Sequence, residues 1–304
     1  MIEKEFIFST PFAIELLTDG SVTWQSPSNI ALIKYWGKTE PQVPKNASLS
    51  FTLSNCHTTT RLDYRLKERL SSSYDFKVFF EGDENEEFKP KIKHFFERIE
   101  PYVPFITAYQ FEIHTQNSFP HSSGIASSAS GMSALALCLM SIEKKINPQI
   151  SADHFIKKAS FLARLGSGSA ARSIEGPLVV WGTHPQIKGS NNEYGIKYPY
   201  KCHPVFESFQ DTILLVDRGV KQVSSTVGHN LMKGHPFAQA RFNQAKEHMT
   251  RLIPVLKEGN LNAFIEIVER EALSLHAMMM SSDPHFMLMK PNTLEIIERI
   301  WDFR

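Results

Sequence analysis

Phe119-Pro-His-Ser-Ser-Gly-Ile-Ala-Ser-Ser-Ala-Ser-Gly131 joins two different patterns. Before it, Phe111-Glu-Ile-His-Thr115 alternates as a strand does and leads into a loop from Gln116 to Gly124. After it, Ala129 to Ile146 is rich in Ala, Leu and Met and reads as a helix ended by Asn147-Pro148. A strand, a loop of small residues and a helix start form an anion cradle. Small side chains let backbone N–H groups close on phosphate oxygens, and the positive helix end adds field. Ser127 and Ser128 can add hydroxyls to phosphate or Mg²⁺. No Gly-Lys-[Ser/Thr] closes the loop, so it is not a Walker A loop. The alternative is a tightly packed helix start that needs small residues for close approach.

Three further segments offer the same kind of chemistry. Leu165-Gly-Ser-Gly-Ser-Ala-Ala-Arg-Ser173 places Gly and Ser around a helix end, with Arg172 as a planar fork for a carboxylate or phosphate. Its alternative is a glycine cap, a serine-rich loop and an arginine in a surface pair. Ser28-Asn-Ile-Ala-Leu-Ile-Lys-Tyr-Trp-Gly-Lys38 carries Lys34 in an apolar, strand-like stretch, with Tyr35 and Lys38 beside it. Such a lysine either lies at a sheet edge or is held for a buried anion. Arg218-Gly-Val-Lys-Gln-Val-Ser-Ser-Thr-Val-Gly228 is a phosphate grip or an ordinary polar loop. Convergence of the four on one polyphosphate site, with ATP and a phosphorylated substrate as its anions, is the economical reading.

The rest of the chain agrees with a globular α/β-rich protein. At 304 residues, 42% hydrophobic and 21% charged, it is too ordinary for a disordered, collagenous or coiled-coil class. The net charge of +1 argues against nucleic acid or a membrane surface as partner, and the Ala134–Met140 run is too short for a membrane span. Met1-Ile-Glu-Lys-Glu5 lacks the marks of a signal peptide. Cys56, Cys138 and Cys202 are odd in number and far apart, as in a cytosolic protein with reduced thiols. The histidines show no HExxH or HxH pattern, which argues against a dedicated metal site. Strands are expected at Ile30–Trp36, at Ser48–Leu53 with Thr58–Tyr64 as its hairpin partner across Ser54-Asn55, and at Phe76–Phe80, Leu178–Trp181 and Thr212–Val216. Helices are expected at Lys91–Ile99, after a Ser151 cap to about Gly166, and at about Ala238–Lys257 (kinked or shortened by Pro254), Leu261–Met280 and Thr293–Phe303. The polar, turn-rich Gly189–Gly195 places a boundary between two halves, 1–190 and 191–304.

Together the segments resemble the diphosphomevalonate decarboxylases of the GHMP kinase superfamily. Asn29-Ile-Ala-Leu-Ile-Lys-Tyr-Trp-Gly-Lys38 is similar to that family's amino-terminal signature, and Asn46-Ala-Ser-Leu-Ser-Phe-Thr-Leu53 to the segment after it. Residues 119–129 resemble its ATP loop, Gly166 to Ser173 its substrate loop, and Val223-Ser-Ser-Thr-x-Gly228 a further substrate loop. The likeness spans residues 20 to 303. It implies an α+β, GHMP kinase-like two-lobed fold and a cytoplasmic homodimer. It also implies a reaction, in which ATP phosphorylates the tertiary 3-hydroxyl of mevalonate 5-diphosphate and the new phosphate leaves with CO₂, giving isopentenyl diphosphate.

By motif position the resemblance places Asn117, Pro120, Ser122, Ser123, Gly124, Ile125, Ala126, Ser127 and Ser128 at ATP, with Ser127 or Ser128 near Mg²⁺. It places Tyr35, Trp36, Gly37, Lys38, Ser167, Gly168, Ser169, Ala170, Ala171, Ser225 and Thr226 at the diphosphate substrate. Arg172 falls at the substrate carboxylate and Lys34 near the transferred phosphate; with Ser225 these make the expected catalytic set. Two departures stand out. His121 and two serines replace the Thr and Ala of many members, which bears on substrate choice. The family's Asp-x-Gly-Pro-Asn segment, with its catalytic aspartate, occurs nowhere in this sequence, and neither Asp283 nor Asp302 matches it. The resemblance therefore implies a second lobe without its last strand. It leaves a related mevalonate or phosphomevalonate kinase or decarboxylase, or a catalytically impaired binder, as the alternatives.

Overall fold

The computed structural model describes residues 3–8, 16–69, 71–120, 124–216 and 225–304. Its strands are β1 (Asp19–Ile33), β2 (Lys38–Thr39), β3 (Val43–Pro44), β4 (Ser48–Leu66), β5 (Asp75–Phe80), β6 (Asp83–Glu84), β7 (Tyr109–Asn117), β8 (Leu178–Trp181) and β9 (Ile196–Lys197). Its α-helices are α1 (Lys89–Ile99), α2 (Ser127–Ile146), α3 (Ala152–Gly166), α4 (Ser225–Asn230), α5 (Ala238–Glu258), α6 (Leu261–Met280) and α7 (Pro291–Phe303). A mixed sheet runs in the order β6-β5-β7-β4-β8-β9, with β1 on β4, and β2 pairs with β3. No helix among the described residues is long and apolar enough to cross a membrane.

The chain divides into two compact units. The first is Met1–Ile30, Phe51–Trp181 and Glu193–Lys197. Its core sets Leu62, Val78, Phe111 and Ile113 of the sheet against Phe95 and Phe96 of α1, Leu139 of α2 and Phe161 and Leu162 of α3. α2 is buried on nearly every face, with Ala134, Ala136 and Leu139 fully buried, so it shows no polar stripe in sequence. α3 opens as its sequence requires: the Ser151 side chain accepts from the His154 amide at 3.1 Å. The second unit is Ala31–Ser50, Gly182–Asn192 and Tyr198–Arg304. Here Trp36, Met232, Met278 and Met279 cluster, with Phe242 and Leu275 against them.

Three expectations are corrected. Ser48–Leu53 and Thr58–Tyr64 are one continuous strand, β4, not a hairpin. Ser54-Asn55 lacks the glycine that a tight hairpin turn favours, and the second part of β4 pairs with β7 in antiparallel register from Thr58↔Asn117 to Leu66↔Tyr109. β1 starts earlier than expected and ends at Ile33, before Lys34. Residues 212–216 form no strand, and Leu214 is 57% exposed, so the run buries too little apolar surface to be a core strand. α5 spans the expected helix, with Pro254 inside it. Pro254 lies on the exposed side, where water can take the carbonyl that loses its donor.

Gly182, just past β8, shows how tightly the second unit closes. Its φ is +101°, and an added Cβ would lie 2.7 Å from the Ala47 Cα. Gly182→Ala is expected to cost about 3 kcal/mol, from left-handed strain plus overlap with backbone. Urea or thermal denaturation measures it; an unchanged midpoint would mean that Ala47 gives way freely.

Candidate active site

The ATP-loop end of the first unit is built from α2 upward. Gly124 (φ +84°) and Ala126 (φ 56°) both adopt left-handed backbone, and they turn the chain into the helix at Ser127. A non-glycine residue held there marks a position that its surroundings fix. The Ser28 hydroxyl donates to the Ile125 carbonyl and anchors the turn to β1. Thr58 of β4 bonds Asn117 Oδ1 of β7 at 2.7 Å and Ser130 Oγ of α2 at 2.6 Å. By helix geometry the amides of Ser127 and Ser128 have no acceptor within α2.

Beside this turn lies a cavity of about 110 Å³. Phe80, Phe88, Ile92, Ile113, Met132 and Leu135 make its apolar walls; Thr58, Thr115, Asn117, Ser127, Ser128 and Lys91 make its polar side. Asn117 Nδ2 is buried there without a hydrogen-bond partner, although burying an amide without one is costly. Lys91 Nζ donates to Ser128 Oγ at 2.8 Å. An apolar slot beside an orphaned donor, a cation and a helix start fits a nucleotide. Serine hydroxyls are the hard oxygen donors that Mg²⁺ takes. Pro120 is exposed at the loop; Ser122 and Ser123 lie outside the described residues.

The second anion loop belongs to the same unit. α3 ends at Gly166, Ser167 caps it in extended conformation, and Gly168–Arg172 forms a 3₁₀ turn. Side chains from three elements tie this turn down. Ser133 of α2 donates to Ala170 O (2.8 Å), and Ser160 of α3 to Ala171 O (2.8 Å). From β1, Ser26 donates to Ser173 O (2.7 Å), and Asn29 donates to Ser173 Oγ (2.7 Å) and Ser169 O (3.2 Å). Arg172 is 3% exposed, which excludes a surface pair. Its Nε donates to Asn29 Oδ1 at 3.4 Å, and its guanidinium lies 5.9 Å from the Trp181 ring centre. The turn thus presents a fixed, buried arginine, preceded in the chain by the half-buried Ser167 and Ser169 and the buried Gly168, Ala170 and Ala171.

In the second unit Lys34–Gly37, which leads into Lys38 of β2, is an irregular segment held by side chains far away in sequence. The Lys34 amide donates to Glu271 Oε2 of α6 at 2.8 Å, and its carbonyl accepts from Asn46 Nδ2 at 3.0 Å. Lys34 Nζ donates to the Ala31 carbonyl at 2.8 Å. His229 of α4 sits 4.3 Å from Tyr35 and 4.7 Å from Trp36, ring centre to ring centre. Its Nδ1 accepts from the Gly37 amide at 3.1 Å. Gly228 is required because a Cβ there would meet the Trp36 ring at 2.4 Å. Lys38 is not solvated: its side chain is 7% exposed, with Nζ 2.9 Å from Gln42 Oε1 and 3.9 Å from Glu40. Ser225 and Thr226 open α4; their side chains lie outside the described residues.

Behind Lys34, Glu271 is fully buried and also takes Arg241 Nη2 and His248 Nδ1 (2.7 Å), both from α5. Burial pushes its carboxyl up, but the hydrogen bond from His248, the charge and hydrogen bond of Arg241 and the Lys34 amide outweigh it and hold it below the ordinary value. A depressed carboxyl stabilises the fold above its unfolded pKa, and that contribution is lost as pH falls through the folded value. Between about pH 6 and about pH 3 the wild type should therefore lose stability more steeply than Glu271→Gln. Denaturant midpoints across that range measure this, and parallel profiles would remove Glu271 from the acid response.

Residues 26–192 match the family described as the diphosphomevalonate decarboxylase-like N-terminal domain, more than half of the chain. A curated diphosphomevalonate decarboxylase of Ganoderma lucidum is 30% identical over 92% of this chain and 71% of its own length. This chain belongs to the diphosphomevalonate decarboxylase family. Its fold is the family's α+β, two-lobed GHMP kinase fold. A mevalonate diphosphate decarboxylase from Legionella pneumophila superposes with a TM-score of 0.75 at 26% identity, covering 93% of this chain and 86% of that one. A solved complex of MDDEF with MVAPP, AMPPCP and magnesium gives 0.76 at 27% identity, covering 93% and 82%. The matched range includes the Asn29–Arg172 contact, the cavity beside Ser127 and the serines that tie down the arginine turn.

Residue types alone point to Arg172, Lys34 and the small-residue loops. They assign no part to Asn29, Ser26, Ser133, Ser160, Lys91, His229 or Glu271, whose contacts span long stretches of chain. Asp63, Glu112 and His114 likewise bring ligand-type atoms within 4.8 Å of one another only through the β4–β7 register.

Proposed function

We propose that this protein is an ATP-dependent diphosphomevalonate decarboxylase, converting mevalonate 5-diphosphate to isopentenyl diphosphate, ADP, phosphate and CO₂. The observation that carries the reading is Arg172: a buried guanidinium, gripped by Asn29 and set over Trp181, in a turn tied down by serines of β1, α2 and α3. Such a group offers a fixed, planar fork that suits a carboxylate.

The chemistry follows from the substrate. A tertiary alkoxide is a poor leaving group. The 3-hydroxyl oxygen therefore attacks the terminal phosphorus of ATP, its proton passes to solvent water, ADP departs with the electron pair of the broken phosphorus–oxygen bond, and the oxygen becomes a phosphate ester. The carbon–oxygen bond then breaks with its electron pair going to phosphate, leaving positive charge on the tertiary carbon. The carboxylate's carbon–carbon bond supplies the electrons of the new alkene, and CO₂ leaves. Arg172 aligns that carboxylate, and holding it in line accounts for a large share of the rate. The substrate diphosphate is assigned to Tyr35, Trp36, Gly37, Lys38, Ser167, Ser169, Ser225 and Thr226. Lys34 is assigned to the transferred phosphate. The cavity beside Asn117 and Lys91 takes the adenosine, and the α2 start takes the ATP phosphates. Mg²⁺, when bound, neutralises phosphate charge, with Ser127 as its protein ligand; Ser128 Oγ is engaged by Lys91. The reading includes a cytoplasmic homodimer; sedimentation as a single chain would remove the dimer from it.

The test is ADP and CO₂ release with mevalonate, its 5-phosphate and its 5-diphosphate side by side. Turnover with the diphosphate alone is expected. Equal or better turnover of either other compound, or tight binding of all three without ADP release, overturns the assignment.

A further inference from the structure

We propose that Glu271 is a positioning residue for Lys34, setting the place of its amine by gripping its backbone amide. The proposal rests on the reading that Lys34 serves phosphoryl transfer.

β1 ends at Ile33, and the amide of the next residue, Lys34, donates to Glu271 Oε2 at 2.8 Å. Asn46 takes the carbonyl of the same residue at 3.0 Å. Both backbone groups of Lys34 are thus fixed by side chains, and its stem must leave from a set point. The carboxylate is itself locked, between Arg241 Nη2 on one oxygen and His248 Nδ1 on the other. Arg241 and His248 stand two helical turns apart on the buried stripe of α5, and all three side chains are nearly or fully buried.

Stability alone is a weak explanation for this arrangement. A buried ion pair often adds nothing over apolar residues of similar size, and here Arg241 Nε is left buried without a partner. Holding a backbone amide at a fixed point, by contrast, needs an acceptor that cannot swing away. Only a carboxylate, or its amide isostere, can meet Lys34 and the two α5 side chains together.

Glu271→Ala should lower kcat about a hundredfold, the cost of roughly 1 Å of misplacement. KM for the diphosphate substrate should change by less than about threefold. Glu271→Gln with Arg241→Met removes both charges but keeps an acceptor for the Lys34 amide; kcat should return to within about fivefold of wild type. This pair also serves if Glu271→Ala does not fold. Lys34→Ala tests the reading beneath. Loss of turnover there, with wild-type kcat per folded molecule in Glu271→Ala, overturns the positioning role alone. Wild-type turnover in Lys34→Ala overturns the assignment of Lys34 and the proposal with it. Competitive acylation read by mass spectrometry needs no turnover. Labelling of Lys34 should rise about threefold or more in Glu271→Ala as the amine leaves the Ala31 carbonyl; an unchanged rate overturns the proposal.

Discussion

Arg172→Lys is expected to lower kcat about a hundredfold or more while KM for mevalonate 5-diphosphate changes far less. Lysine keeps the charge but loses the planar fork. It cannot at once donate to Asn29 Oδ1 and lie over Trp181 as the guanidinium does. The turn that carries it should survive, because Ser26, Ser133, Ser160 and the Asn29 Nδ2 group hold its carbonyls and the Ser173 hydroxyl independently of the arginine head. Steady-state ADP release together with a thermal melt separates the two effects. A near-wild-type kcat would reduce Arg172 to a structural arginine buried by its neighbours.

Ser127→Arg should abolish nucleotide binding with the fold intact. Ser127 opens α2 and lines the cavity, so a long side chain there fills the space in which the phosphates would meet the helix-start amides. Affinity for a non-hydrolysable ATP analogue should fall at least about a hundredfold, or ~3 kcal/mol by calorimetry, with the circular dichroism spectrum unchanged. Ser130→Ala is the matching control. Ser130 is fully buried and bonds Thr58 behind the cradle, so it should cost about 1 kcal/mol of stability and leave ATP affinity alone. The opposite pattern would return residues 119–131 to a tightly packed helix start.

Each residue that the structure ties to these sites was legible to the extent that its signal was local. Asn147-Pro148 and Ser151 mark the ends of α2 and α3 because caps and breakers act within one helical turn. The glycine and serine loops announce anion chemistry because backbone access depends on the small side chains themselves. Arg172 stands out by its fork, a property of the residue. Family likeness then adds roles, residue by residue, to positions whose chemistry is already visible.

Partners far apart in sequence are another matter. Nothing near Ser54-Asn55 says that β4 runs straight on, because its partner β7 begins at Tyr109. Nothing in the serines at 26, 133 and 160 says that all three meet one turn, since a hydroxyl bonds wherever the fold delivers an acceptor. Glu271 lies between these cases. It sits on the apolar stripe of Phe264, Ile267, Leu275 and Met278, as Arg241 and His248 sit on that of Ala245, Leu252 and Val255. A charge on a buried stripe is visible in sequence and demands a partner. The chain therefore determines by itself that these charges must be paired. That they pair with one another and with the Lys34 amide is decided only when α5, α6 and the end of β1 are brought together, because Coulomb and hydrogen-bond contacts depend on distance in space.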